Sequence, residues 1–344
     1  MSGVVDISRR VLPWVVAVVV VLLSPYVLNG SDLLTPLILA GLYGVAVVGL
    51  TVLQGQAGIV SLGQGGFVAI GTYTVGLLTV KAGWAPVPAL IAAIASTMTV
   101  ALITMPILRI SGLALSLVTF AIGVIMQELI DVFGGLTGGE NGIANLPALR
   151  IGSWMASQQA DYLVVAWLVV LILAGLVLNI RRSPYGAALR AQEVDTAASS
   201  ALGIPVLRIR SAAWLFAAGC AGLSGGLLAF YLNYISPDFF TLDLSIALLS
   251  ALVIGGMNSV FGPIAAIALL EVIPQVAGFG GHVPSLVWSG GMLLVVPAFA
   301  SGGLAALYRS ARDYTVRRLP HHTPEPDLSS AADHPVADFH PGTA

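Results

Sequence analysis

Between two apolar runs the chain reads Gly55-Gln-Ala-Gly-Ile-Val-Ser-Leu-Gly-Gln-Gly-Gly66, five glycines and two glutamines in twelve residues. The run before it, 33–53, carries no charged side chain, and the run after it, 67–80, carries none either. About 20 apolar residues cross a hydrocarbon core roughly 30 Å thick. Irregular backbone beside such runs survives at membrane depth only where protein buries it or where it lines a cavity. The reading is therefore a membrane protein with interrupted helices.

Composition agrees. Of 344 residues 57% are hydrophobic and 9% charged, with a mean hydropathy of +0.95. A soluble domain carries roughly 25% charged residues, so this chain lacks the polar surface that water requires. Net charge is −2, which gives no electrostatic footprint for nucleic acid. Cys220 is the single cysteine and excludes an internal disulfide. The fold class expected is an all-α polytopic membrane protein.

Apolar runs and their punctuation predict about ten helices, near 11–28, 33–53, 67–80, 84–108, 112–133, 161–180, 211–232, 244–256, 259–277 and 283–307. With a cytoplasmic N-terminus, twelve of the fourteen cations fall on the inner side and only Lys81 and Arg150 outside. That bias sets both termini in the cytoplasm and makes the helix count even. Arg9-Arg10 before Val11–Leu23 has the order of a signal peptide, but Ser24-Pro25-Tyr26 offers no small-x-small cleavage site, so a retained anchor is expected. Residues 1–308 form the membrane domain. Residues 309–344, with five prolines and four histidines, read as a disordered cytoplasmic tail with no scaffold for a metal.

Helices two to five and seven to ten form two halves of opposite topology. Each half has a short second member, 67–80 and 244–256, beside a glycine-rich stretch; the second stretch is Gly255-Gly-Met-Asn-Ser-Val-Phe-Gly-Pro263. Short, interrupted segments at matching places in inverted halves point to a transport path. Candidate path residues are Gly55, Gln56, Gly58, Ser61, Gly63, Gln64, Gly255, Gly256 and Asn258. Free amides at a half-helix start can hold a carboxylate, and close helix packing explains such glycines equally well. Glu128 and Glu271 are the main ionisable groups in the spans, with Asp131 and Asp243 nearer the outer ends. Such groups are costly in a bilayer and mark either function or an interfacial position.

Enzyme signatures are weak. Gly222-Leu-Ser224-Gly-Gly226 fits a Gly-x-Ser-x-Gly pattern, but that pattern needs a strand-to-helix turn and here it lies in a membrane helix. An intramembrane serine hydrolase would pair Ser224 with His282, the one histidine outside the tail. A phosphate loop needs Gly-x4-Gly-Lys-Ser/Thr, and the sole lysine, Lys81, lies in Thr-Val-Lys-Ala-Gly. Any ATP is thus hydrolysed on another chain. A secondary transporter coupled to ions would need no such partner.

The loop 181–210 carries five arginines. Ser183-Pro184 reads as a helix start. Asp195 is placed to cap a second short helix, Thr196–Leu202, ended by Gly203 and Pro205. Ala197, Ala198 and Ala201 give that helix a small face that seats in a partner's groove or simply meets solvent.

Here a resemblance becomes specific. Glu193-x3-Ala197-Ala198-x4-Gly203 is similar, in divergent form, to the Glu-Ala-Ala…Gly loop of ABC importer permeases. Ser183-Pro-Tyr-Gly-Ala-Ala-Leu-Arg-Ala-Gln-Glu193 resembles the branched-chain amino acid permeases. So do Gly55–Tyr73, Leu136-Thr-Gly-Gly-Glu-Asn-Gly-Ile143, and Ser236-Pro-Asp-Phe-Phe240 through Pro263. The resemblance runs from about Gly41 to Pro274 and favours the LivM-type subunit over its LivH-type partner; Ser111-Gly-Leu-Ala and the histidine-rich tail depart from it. It implies a bacterial inner-membrane subunit without cofactors of its own, working by alternating access with a second permease. Two ATPase subunits would bind ATP and magnesium, and an extracytoplasmic solute-binding protein would deliver the solute. Glu193, Ala197, Ala198 and Gly203 would then dock an ATPase subunit. Thr137, Gly138, Gly139, Gly142, Ser236 and Pro237 would face the binding protein. The implied cargo is a branched-chain amino acid, with urea, short amides and carboxylic acids as alternatives.

Overall fold

A computed structural model describes residues 18–24, 32–110, 112–240, 242–277 and 290–291. The expected first and last helices fall mostly outside these residues, as do His282 and the tail; 18–24 is helical. The main helices are α1 (Leu34–Leu53), α2 (Gln64–Gly76), α3 (Pro86–Thr104), α4 (Leu113–Val132) and α5 (Gln159–Arg182). They continue with α6 (Pro184–Val194), α7 (Thr196–Ala201), α8 (Val206–Leu232), α9 (Leu242–Gly255) and α10 (Phe261–Val276). A π-helical turn, Leu77–Lys81, extends α2, and a 3-10 turn, Met105–Arg109, extends α3.

Among the described residues six helical segments are long and apolar enough to cross a membrane: Leu34–Leu53, Pro86–Arg109, Leu113–Val132, Gln159–Arg182, Val206–Leu232 and Pro237–Gly255. Phe261–Val276 is apolar but shorter. The chain is a polytopic helical membrane protein. Helix α8 starts at Val206, where the sequence predicts 211, because Pro205 opens the helix and the arginine side chains at 208 and 210 extend it past the apolar run. Helix α2 starts at Gln64, three residues before the apolar run, because its first turn is anchored by tertiary hydrogen bonds.

Helices α1, α2 and α8 make the centre, with α3, α5, α9 and α10 against them and α4 on α2. In lipid, close contact relies on small residues that let backbones approach. A β-carbon on Gly71 would lie 2.5 Å from the Gly222 carbonyl oxygen, and one on Gly225 would lie 2.1 Å from that of Val68. Thr72 Oγ1 donates to the Gly225 carbonyl at 2.9 Å across the same crossing. The Gly-x-Ser-x-Gly pattern is thus the α2–α8 contact. Ser224, fully buried, donates to the Leu42 carbonyl of α1 at 2.7 Å.

At one end of the bundle the loops after α4 and α8 pair as two short antiparallel strands, β1 (Ile143–Ala144) and β4 (Tyr234–Ile235). A separate hairpin, β2 (Arg150–Ile151) and β3 (Trp154–Met155), lies in the loop before α5. The other end carries the two glycine-rich breaks and the loop 181–210.

Candidate functional site

The first break, 54–63, folds back on the helix it follows. Ala57 and Ile59 N–H groups donate to the Val52 and Leu53 carbonyls at 3.1 Å each, and Gln54 Nε2 donates across the break to the Ser61 carbonyl at 3.0 Å. These bonds satisfy groups that a helix end leaves open. The second break, 256–260, reverses the chain so tightly that a β-carbon on Gly255 would lie 2.1 Å from Pro263 N. Ser259 Oγ, one residue before the N-cap Val260, accepts from the Gly262 N–H in the first turn of α10 at 3.0 Å.

The breaks meet. A β-carbon on Gly55 would lie 2.2 Å from the Met257 carbonyl oxygen, so only a residue without one fits there. The loop 181–210 touches both. Gly58 stands at φ +63° with room for a β-carbon only 3.1 Å from Glu193 Cγ. Arg181 Nη2 donates to the Asn258 carbonyl at 2.7 Å. Arg190 Nη1 in turn donates to the Arg181 carbonyl at 3.0 Å, bracing α6 on the end of α5. Partial burial raises the Glu193 carboxyl above the usual glutamate range.

Helix α2 starts between other helices. Gln64 Nε2 donates to the Ala217 carbonyl of α8 at 3.0 Å, and the Gly65 N–H donates to Ser245 Oγ of α9 at 2.9 Å. The Leu62 N–H donates to Thr119 Oγ1 of α4 at 3.2 Å, and a β-carbon on Gly63 would lie 2.2 Å from the Thr119 carbonyl oxygen. The amides that the sequence leaves available for a carboxylate are therefore partly occupied by hydroxyls of the protein itself. Ser116, Thr119, Gly123 and Ser245 escaped the sequence reading. For the three on α4 the signal was the small, polar stripe Ser116-x2-Thr119-x3-Gly123 on one face of the helix.

Neutral polar groups are buried here without partners. Both amide atoms of Gln56, both of Gln192, Gln54 Oε1 and Ser61 Oγ have none among the described residues. An unpartnered amide in an apolar interior is costly, so these side chains suit contact with water or a polar solute. Of the candidate path residues, Gly55, Gln56, Ser61, Gly63, Gln64 and Gly255 are buried, Gly256 is half-buried, and Gly58 and Asn258 are exposed.

In the loop, Ser183 Oγ accepts from the Gly186 N–H at 3.4 Å, and Asp195 Oδ1 accepts from Ala197 and Ala198 N–H at 2.8 and 3.0 Å. Glu193, Ala197, Ala198 and Gly203 are all exposed. At the far end of α8 the structure brings the other candidates together. Gly142, at φ +65°, would place a β-carbon 1.9 Å from the Ile235 carbonyl oxygen, and one on Gly138 would meet the Gly142 carbonyl at the same distance. Gly139 N–H donates to Thr137 Oγ1 at 3.3 Å. Thr137, Ser236 and Pro237 are buried in this packing, and the exposed groups beside them are Leu136, Asn141, Tyr234 and Phe239.

Interrupted spans, buried neutral polar groups at the breaks and a surface loop resting on those breaks define a solute permease. The chain belongs to the family of permease components of the branched-chain amino acid transport system, whose model matches residues 33–297. It is 32% identical over 295 residues to the high-affinity branched-chain amino acid transport system permease protein LivM of Salmonella typhimurium, covering 78% of this chain and 68% of that one. Similarity to LivM of Escherichia coli K12 is alike, 32% over 297 residues, with 78% and 68% covered. The LivH permease of the same organism is 27% identical over 246 residues, covering 65% of this chain and 78% of that one. The family is one of transport permeases and not of enzymes.

Proposed function

We propose that the chain is the LivM-type permease subunit of an ATP-driven importer for branched-chain amino acids, working by alternating access with a LivH-type subunit. It lies in the bacterial inner membrane with both termini cytoplasmic, in about ten crossings arranged as two inverted halves. The observation that carries the reading is the junction just described. The loop 181–210 rests on the first break through Glu193 and on the second through Arg181, and the breaks touch at Gly55. A push on the exposed α6–α7 segment therefore reaches both breaks with no intervening element.

In this reading Glu193, Ala197, Ala198 and Gly203 dock an ATPase subunit, which holds ATP and magnesium. The loops joined by β1 and β4 receive a solute-binding protein. An apolar path suits an aliphatic side chain, while Gln56, Ser61 and Gln64 offer neutral hydrogen bonds to its polar end. Urea, short amides and carboxylic acids would use the same bonds.

The test is reconstitution of the chain in vesicles with a LivH-type subunit, both ATPases and the binding protein, with labelled leucine as probe. ATP-dependent accumulation that disappears when the ATPases are left out supports the reading. Accumulation against a gradient by the chain alone would mark a secondary transporter and overturn it.

A further inference from the structure

A basic pocket built in part from the loop 181–210 lies apart from the residues of the two breaks. The end of α3, the loop helix α7 and the start of α8 border an open pocket of about 790 Å³ lined by Leu108, Arg109, Thr196, Ser200, Arg208 and Arg210. The three guanidinium groups have no hydrogen-bond or ion-pair partner among the described residues, and Arg210 Nε is buried without one. The nearest carboxylates on the loop are engaged elsewhere: Asp195 caps α7, and Glu193 lies against Gly58.

The arrangement is unfavourable as it stands. Arg208 and Arg210 fall in the first turns of α8, which has no acidic residue in its first turn. A helix N-terminus is the positive end of its dipole and favours anions, so cations there repel it. Arg109 adds a third charge from α3. What relieves all three is an anion.

The pocket also has a fixed height. Arg109 closes the span Pro86–Arg109, and Arg208 and Arg210 open the span Val206–Leu232, which puts them at the level of lipid headgroups. On the helical segment that ends at Arg109, Leu102 and Ile103 are exposed, and so is Ile110 directly after it. Basic pockets between membrane helices hold the headgroups of anionic lipids. We infer that this pocket binds an anionic phospholipid, its phosphate held by Arg109, Arg208 and Arg210 and its acyl chains laid along Leu102 and Ile103. The lipid would then brace α7 from the side opposite the ATPase.

The full-length protein is placed in phosphatidylcholine nanodiscs doped with phosphatidylglycerol, extracted, and its retained lipids counted by native mass spectrometry. Phosphatidylglycerol should be enriched over phosphatidylcholine. The combined substitution Arg109→Gln, Arg208→Gln, Arg210→Gln should lower that enrichment about a hundredfold, since each arginine in contact with the lipid phosphate should strengthen binding roughly fivefold. Lysine at the three positions should keep most of it, and Arg182→Gln, in the same loop but outside the pocket, should leave it unchanged. Should the triple variant not purify as a folded protein, Arg210→Gln alone carries the comparison. Unchanged enrichment in the pocket variants, or an equal loss in Arg182→Gln, would overturn the proposal. So would saturable binding of inorganic phosphate at the pocket with no lipid enrichment.

Discussion

Gly58 and Glu193 lie against each other: the glycine, at φ +63°, leaves 3.1 Å between the place of a β-carbon and Glu193 Cγ. A first-break residue and a coupling-loop residue are thus in van der Waals reach, and the size of one sets the position of the other.

Gly58→Val should uncouple the importer. A β-branched residue in the left-handed region costs about 1–2 kcal/mol, and its side chain would displace Glu193. Uptake per ATP hydrolysed should fall roughly tenfold, the factor that about 1.4 kcal/mol of misfit gives. ATPase docking should weaken only through Glu193 and persist through Ala197, Ala198 and Gly203. Parallel uptake and ATPase assays on one vesicle preparation check this; equal loss of both would show a folding defect instead.

The raised pKa of Glu193 sets the sign of a pH effect. Burial disfavours its charged form, so the folded protein holds this proton to higher pH than the unfolded chain. Its contribution is most favourable below the ordinary glutamate pKa and is lost as pH rises through the shifted value. Glu193→Gln removes that dependence. The melting temperature of the variant minus that of the parent should grow with pH across this window and then level off, as thermal-shift measurements in detergent would show.

Ser224→Ala should keep transport close to the parent level, because it loses one interhelical hydrogen bond, worth about 0.6 kcal/mol in membrane proteins. Gly222→Leu should prevent stable folding, since its β-carbon alone would lie 2.3 Å from Thr97 Oγ1 and 2.8 Å from the Ala93 carbonyl oxygen. Expression yield and size-exclusion profile distinguish the two. Loss of all activity in a folded Ser224→Ala protein would instead support a hydrolase.

Gly142→Ala should part β1 from β4, because the new methyl group meets the Ile235 carbonyl and the backbone is at φ +65°. The expected result is loss of ATPase stimulation by the binding protein with basal ATPase rate preserved. A titration of binding protein against ATP hydrolysis measures it.

Local features were legible in the sequence because their causes are local. Ser183-Pro184 opens α6, Asp195 caps α7, and both rest on side chains within three residues of the groups they satisfy. The six membrane-length helices among the described residues were readable because apolar runs of that length have few other outcomes. The junction was not. Arg181 and Asn258 are 77 positions apart, Gly65 and Ser245 are 180 apart, and no periodicity ties either pair. Glycine also reads ambiguously: Gly222 and Gly225 serve helix packing while Gly58 serves a turn, and only the neighbour each one meets tells them apart.

Helix α4 is held along one face: besides Thr119, Ser116 Oγ donates to the Val60 carbonyl at 3.3 Å, and a β-carbon on Gly66 would lie 3.0 Å from Gly123 Cα. Only 22% of its membrane window is buried. At one end Thr119 binds the amide of Leu62; at the other, the loop that follows it is stitched to β4. A rod about 30 Å long thus leans one narrow, small-residue seam on α2 and turns the rest of its circumference outward. A bulky side chain at Gly123 would press that rod outward as one body and leave the masonry of α1, α2 and α8 in place.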